Sequence, residues 1–159
     1  MAEFSISDLT AGGGVLGICP LPGRFGDYSD DLAAVLTWRP DVVLTMTTRP
    51  EMDRHGAGGF GADLRARGVV WYHLPVPDFG TPPDDVRAAW PDLAPVLARG
   101  GRVLAHCYGG CGRSGMALLR LMVEAGEQGP EALHRLRMAR ACAVETQAQM
   151  DWAFSGTMR

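Results

Sequence analysis

Cys107, a five-residue interval, then Arg113 and Ser114 form the stretch of this chain whose residue types and spacing best suit covalent chemistry. It reads RVLAHCYGGCGRSG from Arg102 to Gly115. A thiol becomes a strong nucleophile only when ionised, and electropositive surroundings lower its pKa from about 8.5 to roughly 3.5–7.5. Three sources of positive potential are written into the stretch. Successive main-chain N–H groups of Tyr108, Gly109, Gly110, Cys111 and Gly112 can converge as an anion nest. The apolar helix that Ser114 opens aims its positive end at the same point. Arg113 adds a full charge on a planar fork that fits two phosphoryl oxygens.

Such a loop suits phosphoryl transfer to sulfur, with the thiolate attacking in line and the N–H groups neutralising the equatorial oxygens. Two more roles are then needed. Asp78, on a proline-bounded loop, is the candidate that protonates the leaving oxygen and later deprotonates water. Ser114 is the candidate that hydrogen-bonds the Cys107 sulfur when it leaves. His106 reads as a hydrogen-bonding neighbour of the nucleophile rather than a base. Each residue also has a plainer reading: Cys107 as an inert core thiol, Asp78 as a solvated acid capping the next helix, Ser114 as a helix N-cap. A zinc site of His106, Cys107 and Cys111 lacks any second His/Cys cluster to complete it, so no metal is expected.

These residues must be positioned by regular elements. Residues 14–18, 41–47, 69–74 and 102–106 are short apolar, β-branched runs that predict strands. Residues 29–38, 62–67, 84–98, 114–125, 130–139 and 145–154 predict helices, with Pro91 or Pro95 bending or splitting the third. Ser29 is placed to cap the first helix, with Asp30 and Asp31 in its opening turn. Strands alternating with helices predict an α/β domain spanning 1–159, with a largely parallel central sheet flanked by helices.

Composition narrows the function. The chain has 159 residues, 47% hydrophobic and 21% charged, with a formal net charge of −3, so no basic surface points to nucleic acid or membrane. Arg135, Arg137 and Arg140 form a local cluster, read as a solvated helix face. No apolar run reaches the roughly 18 residues that span a bilayer. The N-terminus lacks a signal-peptide pattern. Four cysteines are too sparse for a disulfide scaffold, and a reducing cytoplasm is expected. The G-x-G-x-x-G match at 56–61 is read as a flexible loop, because a charged stretch separates it from the preceding strand.

HCYGGCGRSG at 106–115 and VPDFGTP at 76–82 together resemble the signature and general-acid loops of the cysteine-dependent protein phosphatases. With PLPG at 20–23, the chain is similar to the dual-specificity branch of the kinase-associated phosphatase, or cyclin-dependent kinase inhibitor 3, type. The segment VETQAQ at 144–149 looks like the family segment whose last glutamine positions the hydrolytic water. That makes the residue Gln149, with Gln147 second. The resemblance implies a phosphocysteine at Cys107, phosphate bound by the 108–113 amides and Arg113, no metal, and a single small domain; a cofactor-free monomer hydrolysing phosphotyrosine, with or without phosphoserine and phosphothreonine, is expected. A kinase substrate is implied by resemblance only. Two other readings stay open: a non-protein phosphomonoester such as a phosphoinositide, nucleotide or sugar phosphate, and a recognition module without turnover. Cys111 departs from the kinase-associated pattern and reads either as a small loop residue or as a redox partner of Cys107.

Overall fold

The computed structural model describes residues 3–158. Five strands form one sheet in the order β1-β2-β5-β3-β4: β1 (Ser7–Ala11), β2 (Gly14–Cys19), β3 (Val42–Thr45), β4 (Val70–His73) and β5 (Arg102–His106). β2, β5, β3 and β4 run parallel, and β1 pairs antiparallel with β2 across the Gly12–Gly13 turn. The parallel α/β sheet is therefore as expected, but β1 is not legible in the pattern. Its residues SDLTA are polar and alternate between partly buried and exposed, as an edge strand does.

Strand side chains alternate between two cores. Val42, Leu44, Val103 and Ala105 enter one, while Val43 and Leu104 enter the other. The second core is covered by α1 (Tyr28–Trp38), α2 (Arg49–Asp53) and α3 (Phe60–Arg65). The first is covered by α4 (Asp84–Ala88), α5 (Ala94–Ala98), α6 (Gly112–Glu124), α7 (Gly129–Ala139) and α8 (Gln147–Phe154). α6 is buried on nearly every side, with only Arg120 and Glu124 short of full burial, so it is the central helix of its layer.

Local chemistry sets several boundaries. Asp27, not Ser29, caps α1 by accepting from the Asp30 N–H at 3.1 Å. The predicted helix over 84–98 is two short helices, and the segment between them carries Trp90, Pro91 and Leu93. Ser114 is not the N-cap of α6. Cys111 holds that position, and Ser114 lies inside the first turn. The glycine-rich 56–61 segment is the turn into α3, and a Cβ on Gly61 would strike the Trp71 indole. Among the described residues, no helix is long and apolar enough to cross a membrane.

Candidate active site

Parallel strands deliver their C-terminal ends to one edge, where ligands bind in open α/β sheets. Here β5 runs into His106 and Cys107, β4 leads to Asp78, β3 leads to α2 and Glu51, and β2 leads to Pro20 and Arg24. Four segments far apart in sequence thus meet around one thiol.

Cys107 is buried, and its sulfur lies 3.1 Å from the Ser114 hydroxyl. The 107–111 loop folds back so that Ser114, in the first turn of α6, meets the Cys107 sulfur. Gly110 takes a left-handed φ of 71°, and a Cβ there would lie 2.6 Å from Arg140 Nη2, so only glycine fits. Among the described residues, no main-chain carbonyl accepts from the N–H groups of Tyr108 to Arg113. Those donors remain available to an anion.

Arg113 is buried in the core and held end-on by a residue the sequence reading left out. Its Nη1 donates to Glu51 Oε1 and to the Val76 carbonyl, both at 2.8 Å, and its Nη2 donates to Glu51 Oε2 at 2.8 Å. Nη2 also lies 3.3 Å from Asp78 Oδ1. Nε is buried and has no partner. Burial alone would raise the Glu51 carboxyl, but the bonds from Arg113 and the Thr48 N–H and the guanidinium charge win and hold it down to about 2. Burial works against the Arg113 charge, yet Glu51, Cys107 and Asp78 together push its pKa above the usual arginine range. The sequence around Glu51 marks only a helix start. Thr48-Arg49-Pro50-Glu51 is a capping box, and Glu51 fulfils it by accepting from the Thr48 N–H at 3.0 Å.

His106 is buried against Phe60. Its Nε2 lies 2.7 Å from Thr45 Oγ1, which also accepts from Trp71 Nε1 at 2.7 Å, and its Nδ1 lies 3.3 Å from the Cys107 carbonyl. A carbonyl can only accept, so Nδ1 carries the proton and Nε2 accepts from Thr45. Burial pushes the pKa down to about 4, helped by the Arg113 and His73 charges. The neutral ring braces the Cys107 main chain. In the unfolded chain this histidine titrates near 6.5, so its contribution to stability is complete above that pH and is lost as pH falls toward 4. Denaturant midpoints between pH 7 and pH 4 are expected to report a loss of about 3 kcal/mol from this group. A His106→Gln variant that keeps the same pH slope would exclude it as the source.

The mouth of the site is a cavity of about 320 Å³ lined by Arg24, Asp78, Phe79, Cys107, Cys111 and Glu145, among others. A cavity of about 390 Å³ between Asp41 and Gly101 is as large but holds no cysteine or histidine, so chemistry rather than size picks out the site. Asp78 is half exposed. Phe79 beside it has a φ of 62°, is 59% exposed, and presents an aromatic face at the rim. Arg24 stacks 3.9 Å above the Tyr108 ring, and Glu145 sits over Gly112.

Gln149 is placed differently from the rest. It is buried, and its Oε1 accepts from the N–H groups of Glu145 at 2.9 Å and Thr146 at 3.2 Å. Its Nε2 donates to the Gly80 carbonyl at 3.1 Å, in the loop that carries Asp78. The side chain therefore ties the start of α8 to the Asp78 loop and does not line the cavity. Gln147 is exposed and donates to Asp151.

Two cysteine expectations are corrected. Cys111 is bonded to Cys142, with Cα atoms 5.1 Å apart, so it is neither a bystander nor the partner of Cys107. Cys107 faces inward to Ser114, whereas Cys111 faces the 140–146 segment. Cys19 and Cys107 are free, and burial pushes the Cys19 thiol far up, keeping it neutral. The arginine cluster is also more than a solvated face. Arg137 donates to the Ala143 and Val144 carbonyls, and Arg140 Nε donates to the Gly110 carbonyl beneath the loop at 3.0 Å.

A parallel sheet that ends in this thiol loop, with an aspartate-bearing loop after the edge strand β4, defines the protein-tyrosine and dual-specificity phosphatases. Solved structures agree. Kinase associated phosphatase with its catalytic cysteine changed to serine superposes with a TM-score of 0.82 at 23% identity, over 98% of this chain and 94% of that one. Tk-PTP in its active form gives 0.69 at 28% identity, over 96% and 97%. Within that class, the chain belongs to the cyclin-dependent kinase inhibitor 3 family, whose model matches residues 4–131. Cyclin-dependent kinase inhibitor 3 of Mus musculus is 31% identical over 147 residues, 86% of this chain and 69% of the mouse protein. Asp78, Cys107, Arg113 and Ser114 fall inside the span that the family model matches, and Gln149 falls beyond it.

Proposed function

We propose that this phosphatase hydrolyses phosphotyrosine in protein substrates through a phosphocysteine at Cys107, with no metal. The buried, unpartnered Arg113 Nε beside a cradle of unaccepted N–H groups carries this reading. The Cys107 sulfur attacks phosphorus as the P–O bond to the leaving tyrosine breaks, and Asp78 supplies the proton that the leaving oxygen takes. An arriving phosphoryl oxygen competes with Asp78 for Arg113, which frees the acid to turn toward the leaving group. In the second step Asp78 takes a proton from water, the new P–O bond forms, and the P–S bond breaks with Ser114 donating to the departing sulfur. Gln149 serves this step by holding the acid loop through Gly80. Positioning water directly would require its amide to leave that bond.

Phe79 favours an aromatic phosphoester, since its exposed ring at the rim can pack on a phenol. Phe79→Ala is expected to raise KM several-fold for a phosphotyrosine peptide and to leave KM for its phosphoserine counterpart unchanged. The relatives' name links them to cyclin-dependent kinases; a phosphorylated kinase is accordingly one substrate to include.

Turnover of a phosphotyrosine peptide in EDTA, with a phosphoserine peptide, a phosphoinositide and a nucleotide as comparisons, tests the reading. Preference for any non-protein substrate, or dependence on added metal, would overturn it. Asp78→Asn is expected to slow the transfer step by roughly 10²–10⁴-fold with alkyl phosphates, and by much less with p-nitrophenyl phosphate, whose leaving group needs little protonation. An equal loss on both would remove Asp78 as the acid.

A further inference from the structure

We propose that the Cys111–Cys142 disulfide is a thiol–disulfide exchange site that sets the anion affinity of the phosphate loop: oxidised, the loop binds phosphate; reduced, it binds it more weakly. The inference rests on the proposed reading of residues 108–113 as the phosphate cradle.

The bond sits where it can report on both partners of the site. Cys111 is the fourth residue after the nucleophile, lines the cavity mouth, and is the N-cap of the 13-residue helix α6. Cys142 lies in the segment that leads to Glu145 and Gln149. Val144 in that segment is held at a φ of 67°, which a β-branched residue adopts only under constraint. Both sulfurs rest against loop carbonyls, Cys111 Sγ 3.7 Å from Gly109 O and Cys142 Sγ 3.8 Å from Gly110 O.

Access favours exchange here rather than at the nucleophile. Cys142 is exposed and Cys111 half-buried, whereas Cys107 and Cys19 are buried. A dithiol's thiolate attacks Cys142 Sγ, the S–S bond breaks, and Cys111 leaves as a thiolate. The second thiol of the reductant then resolves the mixed disulfide and frees Cys142. Two electrons pass, and the reductant departs as its own disulfide. Cys142 is the sulfur attacked because it is the exposed one of the two, and Cys111 leaves into the cavity mouth that it lines.

Reduction acts on phosphate binding because a thiolate at Cys111, which lines the cavity mouth, adds a like charge beside the cradle. The fold itself is not at stake. The Val144 N–H still donates to the Cys111 carbonyl at 3.1 Å, and Arg140 still donates to the Gly110 carbonyl. The loop thus keeps its shape while its potential changes.

Calorimetric binding of inorganic phosphate to the wild-type chain, before and after a dithiol, tests this without any turnover. Affinity is expected to fall about five- to tenfold on reduction. Alkylation and mass spectrometry should show Cys111 and Cys142 newly modified. By linkage, saturating phosphate should shift the dithiol midpoint of the bond by the same factor. Cys142→Ser should bind phosphate at the reduced value whether or not dithiol is present. Equal affinities in the two redox forms, a bond that native-state dithiol does not open, or a midpoint indifferent to phosphate would each overturn the proposal. If phosphate binding responds while wild-type protein turns over no phosphoester, the exchange site stands and the catalytic reading fails.

Discussion

Cys107→Ser is expected to lower kcat by on the order of 10⁴-fold or more while phosphate binding survives. The argument is chemical and geometric together. Serine is nearly isosteric with cysteine, and position 107 is buried at the foot of a loop whose shape is fixed by Gly110, Arg140 and the start of α6. The N–H cradle and Arg113 should therefore stay in place. A hydroxyl, however, is a far weaker acid and nucleophile than a thiol, and it is a poor leaving group in the second step. Hydrolysis of p-nitrophenyl phosphate measures the first expectation, and calorimetry with phosphate measures the second. Undiminished turnover would mean that sulfur is not the nucleophile. Loss of binding together with turnover would mean that the substitution had disturbed the loop rather than the chemistry.

The second large effect lies at Glu51. Its carboxylate is the counter-ion of a guanidinium that is 1% exposed, and both of its oxygens are used by Arg113. Removing one member of a buried pair leaves the other charged and unsolvated, which costs about 3–5 kcal/mol. Glu51→Ala should therefore lower Tm by roughly 10 °C, and it should raise KM because Arg113 loses the carboxylate that holds its guanidinium in place. Glu51→Gln keeps one oxygen acceptor and should fall between alanine and wild type on both measures. Thermal melts and steady-state kinetics on the three proteins check this. A Tm within a degree or two of wild type in Glu51→Ala would show that water or Asp78 already satisfies the guanidinium.

The comparison also shows why Glu51 escaped notice. Its chemistry is local in the sequence and remote in the fold. The capping box at Thr48 to Glu51 announces a helix start, and nothing in that pattern says that the carboxylate also meets an arginine 62 residues later. The same holds for Cys142. Its spacing from Cys111 carries no motif, and only the approach of the 140–146 segment to the loop pairs them. Gln149 shows the reverse case. A motif suggested a water-positioning residue, and the fold uses its amide to join α8 to the acid loop.

What the sequence determined by itself was the chemistry of the loop and the parallel sheet beneath it. A thiol, glycines, an arginine and a serine at fixed spacing on a strand–loop–helix leave little freedom, because the short loop between β5 and α6 keeps Ser114 of the first helical turn beside Cys107. Asp78 could be chosen because its proline-bounded loop follows a strand. The tertiary structure decided which groups surround that chemistry. Arg24 and Glu51 reach the loop on segments that follow β2 and β3, whose C-terminal ends open on one side, and Cys142 and Glu145 reach it on the connection between α7 and α8; the order of these segments along the chain encodes no distance.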